Sequence, residues 1–261
     1  MKVVLFCGGM GTRLREFSDT IPKPLVNIGP RPILWHLMRY YAHFGHTEFV
    51  LCLGYRGDLI REYFLNYDDC LSNDFTLKLP GRKIELHSSD VQDWSITFVD
   101  TGLHSNVGQR LLSVRKFVQD DPCFLANYSD CLSNIPLDVV IEHFHAQNVT
   151  ALLCGVRNLQ SFHTVHSDAA GKVTRIGRVH DADLLVNGGY FVLRKDIFDY
   201  IEPGNELVEE PFARLMSKQL LGVYRHTGFW QAMDTFKDKI NFDRMEAQGN
   251  CPWMCWRNTK T

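Results

Sequence analysis

A strand that runs directly into a glycine-rich turn opens this chain and limits what it can fold into. Lys2-Val3-Val4-Leu5-Phe6-Cys7 reads as a short, fully buried strand, and it leads straight into Gly8-Gly9-Met10-Gly11-Thr12-Arg13-Leu14. Lacking Cβ atoms, Gly8, Gly9 and Gly11 let the backbone turn tightly and aim its N–H groups at anionic oxygens. Thr12 adds a hydroxyl, and Arg13 adds a planar, permanently charged fork suited to phosphate. The spacing is not the G-x-G-x-x-G of a dinucleotide site, and no Gly-Lys-Ser/Thr follows as it would in a P-loop. Downstream, Ile21-Pro22-Lys23-Pro24-Leu25 sets a lysine between two prolines. Both neighbours have φ fixed by their rings, so Lys23 is poorly explained as a freely solvated charge.

Short apolar runs then alternate with helical patterns, which predicts an α/β fold on a largely parallel sheet. Strands are expected at Val3–Phe6, Phe49–Leu53, Ile96–Val99, Cys123–Ala126 and Ala151–Val156, with two more near Val173–Ile176 and Tyr190–Leu193. Helices are expected from Pro32 to about His43, at Asp58–Leu65, Gln109–Val118 and Leu137–Gln147, from Pro211, and after Asp234. The polar segment Asn66–Asp93 breaks this rhythm and carries a small hairpin around Pro80-Gly81. It reads as an insertion into a single domain of residues 1–261, either a lid or subunit contact or a plain surface excursion.

With 261 residues, 45% of them hydrophobic, the chain has enough material for one substantial core. A net charge of −2 argues against a general nucleic-acid binder. No apolar run approaches the ~18 residues that span a bilayer, and no signal-peptide pattern precedes the first strand. A soluble cytoplasmic protein that engages neither nucleic acid nor membrane is expected. Cys7, Cys52, Cys123 and Cys154 sit in apolar runs as small buried hydrophobes, whereas Cys70 and Cys131 fall in loop-like contexts as free thiols. Cys251 and Cys255 have the spacing of half a zinc site without a second pair, and the eleven histidines form no ligand pattern.

Gly8-Gly9-x-Gly11-Thr12-Arg13-Leu14 followed by Pro22-Lys23-Pro24 resembles the signature of the sugar-1-phosphate nucleotidylyltransferases. Pro32-Ile33-Leu34-Trp35-His36, Gly54-Tyr55-Arg56-Gly57, Val99-Asp100-Thr101-Gly102, Val186–Leu193 and Gly228-Phe229-Trp230-Gln231-Ala232-Met233-Asp234-Thr235 are similar, in order, to landmarks of the glucose-1-phosphate cytidylyltransferase branch. The resemblance spans nearly the whole chain. It implies a Rossmann-like, GT-A-like nucleotidyltransferase domain with a mixed, mostly parallel sheet flanked by helices. The implied reaction joins CTP and a sugar 1-phosphate to give a CDP-sugar and pyrophosphate, with Mg2+ as cofactor and a homo-oligomer as the assembly. The alternatives are the same chemistry with UTP, dTTP or a non-glucose acceptor, and a catalytically silent nucleotide-binding regulator. A glycosyltransferase is a further competitor, on the Asp181-Ala182-Asp183 pattern alone.

Nucleotidyl transfer requires a triphosphate held with its α-phosphorus open, neutralisation of developing charge, and departure of pyrophosphate. The glycine loop and Arg13 suit the triphosphate and its leaving pyrophosphate, and Lys23 suits the place where the α-phosphate meets the sugar phosphate. Asp130 lies just past an expected parallel strand, where α/β proteins bind ligands. The resemblance makes Asp130 and Asp234 the metal carboxylates, although Asp234 also has the character of a helix N-cap. At Asp130 the family's Tyr-Gly-Asp-Gly reads Tyr128-Ser129-Asp130-Cys131, so Ser129 offers its N–H or hydroxyl in place of a glycine while Cys131 narrows the backbone. By resemblance Thr101, Gly102 and Arg110 flank the nucleobase; Asn187, Gly188 and Gly189 can contact the acceptor, and Glu210 either joins them or simply favours a helix N-terminus. The family's Glu-Lys pair aligns with Arg178-Val179, and a family glycine with His163, which implies a reshaped sugar pocket.

Overall fold

Strict alternation along the first strand sorts its side chains onto two cores. The computed structural model describes residues 1–10, 20–91, 93–157, 163–178 and 184–257. In β1 (Val3–Phe6), Val3 and Leu5 enter one hydrophobic cluster while Val4 and Phe6 enter the other, as the period of two requires. β2 (Glu48–Leu53) and β4 (Cys123–Asn127) flank β1 in parallel register, and their side chains divide the same way. A strand apolar on both faces needs cover on both sides. One side is covered by α1 (Ile33–His43), α2 (Gly57–Leu65) and α4 (Leu137–Gln147), the other by α3 (Val107–Val118) and α5 (Glu210–Ser217).

The sheet is completed by β3 (Ser95–Asp100), β5 (Ala151–Arg157), β6 (Leu185–Arg194) and β7 (Leu221–His226), in the order β7-β5-β6-β4-β1-β2-β3. β6 runs antiparallel to both β4 and β5, and every other pairing in the sheet is parallel. The expected α/β class and mixed, mostly parallel sheet are thus present. β7 was not expected, because Leu221–His226 alternates buried and open positions at a sheet edge instead of forming an apolar run. α3 begins at Val107, ahead of the expected Gln109, because Asn106 caps it reciprocally with Gln109. Cys131 lies in a short strand, Cys131–Ser133, and is buried, which corrects its loop-like reading.

The polar segment after α2 lies largely at the surface as an excursion from the sheet. Its hairpin pairs Phe75–Lys78 with Lys83–Leu86, and Phe75, Leu77, Ile84 and Leu86 share one exposed apolar face. The base of the excursion is anchored by Arg31, which is 1% exposed. Its Nε donates to Ser72 Oγ at 2.6 Å, one terminal nitrogen donates to the Asp68 carbonyl at 2.8 Å, and its guanidinium lies 4.3 Å over the Tyr67 ring. Asp90 completes the anchor by accepting from Ser72, Tyr67 and Asn73 and pairing with Arg31 at 3.7 Å. No helix among the described residues is long and apolar enough to cross a membrane.

Behind α1, the C-terminal segment closes over His36. Its Nε2 lies 3.0 Å from the Ile28 carbonyl, which can only accept, so Nε2 carries the proton; Nδ1 accepts from Trp253 Nε1 at 3.4 Å. Burial pushes this imidazole down to about 4. The folded value is below the unfolded one, so protonation opposes folding. The contribution is complete above pH ~6.5 and is lost as pH falls toward about 4. His36→Gln keeps a donor and an acceptor without the charge. Chemical denaturation across that window should show the wild type losing about 3 kcal/mol more than the variant, and equal slopes would refute the assignment.

Candidate active site

The strand ends converge where parallel sheets bind ligands. Beyond β1 the chain reaches Gly8, beyond β2 Gly54, beyond β3 Thr101 and Gly102, and beyond β4 the Tyr128–Asp130 turn. Gly8 is buried, and Gly9 and Met10 open to the surface. Gly11, Thr12 and Arg13 lie outside the described residues. The first three loops are tied together by Arg110, which is 4% exposed. One terminal nitrogen donates to the Leu53 carbonyl at 3.3 Å, Thr101 Oγ1 at 2.7 Å and the Gly102 carbonyl at 2.9 Å. The other donates to the carbonyls of Gly8 at 3.0 Å and Leu103 at 3.3 Å. A Cβ on Gly8 would lie 2.1 Å from the guanidinium, and one on Gly54 would lie 2.7 Å from the Gly8 carbonyl oxygen. Here glycine is required by close approach.

The groups expected to face the nucleobase are therefore engaged with one another. Arg110 points into the protein, Thr101 Oγ1 donates to the Leu53 carbonyl at 2.8 Å, and the Gly102 N–H, at a φ of +90°, donates to Asp100. Ser129 is similar. Its N–H donates to Asn127 Oδ1 at 2.8 Å and its hydroxyl to the Phe6 carbonyl at 2.7 Å. The tight position expected at Cys131 is at Ser129 instead, which holds a φ of +64° where the family has glycine.

Lys23, Asp130 and Asp234 meet at one point. Lys23 Nζ lies 2.7 Å from Asp130 Oδ2 and 2.6 Å from Asp234 Oδ1. Pro22 is extended and caps a short 3-10 turn at Lys23–Leu25, so the proline frame aims the lysine inward. The carboxylates are brought together by the antiparallel pairing of Cys131–Ser133 with Trp230–Ala232, in which Cys131 faces Ala232 and the Met233 N–H donates to the Asp130 carbonyl at 2.8 Å. The N-cap of α6 (Phe236–Ala247) is Thr235, not Asp234. Its reciprocal partner Asp238 also accepts the Asp234 N–H at 3.1 Å, which holds that turn and leaves the Asp234 carboxylate turned to Lys23. Burial penalises the Lys23 ammonium, but Asp130 and then Asp234 outweigh it, so its pKa is raised and it remains charged. Lys23 is 13% exposed and the two aspartates are 28% and 33% exposed, so the cluster opens to solvent on its carboxylate side.

Two carboxylate oxygens from separate loops, both within 2.7 Å of one cationic centre, are a fitting donor set for magnesium, which takes one or two carboxylates and completes its shell with phosphates and water. Among the described residues no group of three or more His, Cys, Asp or Glu could hold a metal. Cys131, beside Asp130, is buried, and burial holds its thiol well above the ordinary range, so it is no nucleophile.

Next to this cluster lies the Asn187-Gly188-Gly189 stretch of β6, where the pairing with β5 is interrupted by a bulge. Asn187 donates to the Tyr128 hydroxyl at 3.0 Å and accepts from the Gly189 N–H, and Trp230 Nε1 donates to the Gly188 carbonyl at 2.8 Å. Gly189 has a φ of +75°, and a Cβ there would lie 2.8 Å from Tyr128. Tyr128, Trp230 and Asp238 were missed as site-forming residues; of these, Thr235-x-x-Asp238 has a capping-box spacing readable in the sequence. Glu210 turns back on its own loop, accepting the Glu206 N–H at 3.0 Å. Positions 163 and 178 are register partners in the strand pair His163–Ser167 and Val173–Arg178. Val179, Asp181 and Asp183 lie outside the described residues.

A sheet of this order, with a glycine loop, a caged lysine and paired aspartates at its carboxyl edge, defines a nucleotide-handling α/β protein. The profile of the family described as nucleotidyl transferase matches residues 2–235, and the chain belongs to that family. It is 36% identical to a glucose-1-phosphate cytidylyltransferase of Salmonella typhi over 98% of this chain and 100% of that one. It is 38% identical, with the same coverage, to a probable glucose-1-phosphate cytidylyltransferase of Bacillus subtilis. A UDP-glucose pyrophosphorylase solved with UDP-glucose shares the fold at a TM-score of 0.68 and 14% identity, over 95% of this chain and 98% of that one.

The Arg110 network sets an expectation. Arg110→Lys cannot serve five acceptors, and should lower unfolding free energy by about 1–3 kcal/mol in denaturant titrations. Unchanged stability with only a raised KM for nucleotide would place Arg110 at the base instead.

Proposed function

We propose that this protein joins CTP and glucose 1-phosphate to form CDP-glucose and pyrophosphate. The observation that carries the chemistry is the Lys23–Asp130–Asp234 cluster at the carboxyl edge of the sheet. The choice of CTP and glucose is supported by relatives at 36–38% identity along their whole length.

In this reading an oxygen of the sugar phosphate attacks the α-phosphorus in line. The new P–O bond forms as the bond to the bridging β-phosphate oxygen breaks, and pyrophosphate carries the electron pair away. No enzyme nucleophile takes part. Lys23 brings two anions together, an effect of position and charge rather than covalent chemistry. The backbone at Gly8 and Gly9, with Gly11, Thr12 and Arg13 after them, cradles the triphosphate. Asp130 and Asp234 would hold a divalent cation, Mg2+, which when bound draws charge off the phosphates. Arg110, Thr101, Gly102 and Ser129 keep the nucleotide-facing loops in register, and Asn187, Gly188 and Gly189 form the acceptor side against Tyr128 and Trp230.

A second reading concerns the acceptor alone. His163 and Arg178, two of the three positions that depart from the resemblance on the sugar side, are register partners in one strand ladder. A joint change there favours a sugar 1-phosphate other than glucose. Pyrophosphate release measured with CTP, UTP and dTTP against several sugar 1-phosphates should peak at CTP with glucose 1-phosphate; a peak at another acceptor selects the second reading, and silence with every pair rejects both. Lys23→Ala and Asp130→Ala should each reduce kcat by at least about 10²-fold with the far-UV spectrum unchanged. Near-wild-type turnover in either would remove that residue from the chemistry.

A further inference from the structure

The two carboxylates assigned to the metal are both already bound to a cation of the protein itself. Lys23 Nζ lies 2.7 Å from Asp130 Oδ2 and 2.6 Å from Asp234 Oδ1. A magnesium ion binds such oxygens at ~2.0–2.1 Å. An ion and an ammonium that share the same two oxygens would be forced within a few ångströms of each other, where like charges repel strongly away from bulk water.

The parts around the cluster differ in how freely they can give way. Asp130 is held through its carbonyl by the Met233 N–H, and Asp234 through its N–H by Asp238. The Lys23 backbone is held between Pro22 and the buried Pro24. The mobile element is the four-carbon stem of Lys23, whose head can leave the carboxylates without any backbone change. We propose that the Lys23 ammonium and the divalent cation compete for the Asp130–Asp234 pair, so that metal enters productively only together with a triphosphate, whose oxygens give the ammonium a second anionic partner. This rests on reading the two aspartates as the metal pair. Lys23 then has two sequential duties: it neutralises the carboxylates in the resting enzyme and the phosphates in the loaded one. Because binding couplings are reciprocal, whatever removes Lys23 from the carboxylates must strengthen metal binding there by the same factor, typically ~5–150-fold.

The test uses Mn2+ alone, with no nucleotide, and reads free Mn2+ by electron paramagnetic resonance. Lys23→Met should bind Mn2+ at least about 10-fold more tightly than wild type, Lys23→Arg should stay near wild type because the competing charge is retained, and Asp130→Asn added to Lys23→Met should abolish the gain. Equal or weaker Mn2+ binding in Lys23→Met, with Asp130→Asn still weakening it further, would overturn the competition while leaving the metal pair intact. Mn2+ binding insensitive to Asp130→Asn in every background would overturn the metal pair itself. A second measurement needs no variant. Acetic anhydride labelling of Lys23 in the wild type, followed by mass spectrometry, should rise severalfold as Mn2+ occupies the site, and constant labelling at full occupancy would refute the inference.

Discussion

Two carboxylates held close together on separate loops repel unless a positive charge sits between them. In this protein that charge is Lys23, and much of the structure serves to bring the three groups to one point. Lys23 comes from a proline-framed turn near the start of the chain, Asp130 from the end of a central strand, and Asp234 from a segment more than 200 residues beyond Lys23. The short ladder between Cys131–Ser133 and Trp230–Ala232 sets the spacing of the aspartates, and the capping box of the last long helix fixes the turn that carries Asp234. Displacing either element separates a carboxylate from the lysine.

The same device recurs away from the chemistry. Arg110 gathers the loops after β1, β2 and β3, and Arg31 clamps the base of the 66–93 excursion. Each is a nearly fully buried cation whose donors are taken up by backbone carbonyls, hydroxyls or a carboxylate. A guanidinium can hold several acceptors in one plane, so each seam of distant segments is set by direction as well as by charge. At Gly8 and Gly54 the absence of a Cβ allows the close approach, and Arg110 limits which path the backbone takes.

The Gly188-Gly189 segment beside the cluster is built differently. Asn187, Tyr128 and Trp230 support the Gly188-Gly189 bulge of β6 through neutral hydrogen bonds, and Cys131 fills the space behind it as an inert thiol. Ser129 accepts a left-handed backbone to keep its hydroxyl on the Phe6 carbonyl. The cost of that conformation for a residue with a side chain is ~1–2 kcal/mol, partly offset by two buried hydrogen bonds. Cys131 and Trp230 belong to the same short ladder that spaces Asp130 and Asp234, so the Gly188-Gly189 segment and the lysine–aspartate cluster share a support.

Local patterns in the chain were sufficient for β1, β2, β3, β4 and β5, for the helices, and for the hairpin in the excursion, since each follows from periodicity, turn residues or caps within a dozen residues. They also singled out Lys23, Asp130 and Asp234, through the proline frame, the position after a strand, and the resemblance. The strands at 131–133, 221–226 and 230–232 were not legible, because they are short or half-exposed and exist only by virtue of their partners. The direction of Arg110 was equally hidden: an arginine on the first turn of a helix looks the same in sequence whether it points to a ligand or into the protein. Only the tertiary structure decided that Arg110 serves the loops, that Thr235 rather than Asp234 caps the last long helix, and that one lysine already occupies both aspartates. Composition and spacing determine which groups are available; which of them meet, and so which charges compensate each other, depends on long-range contacts that no local pattern encodes.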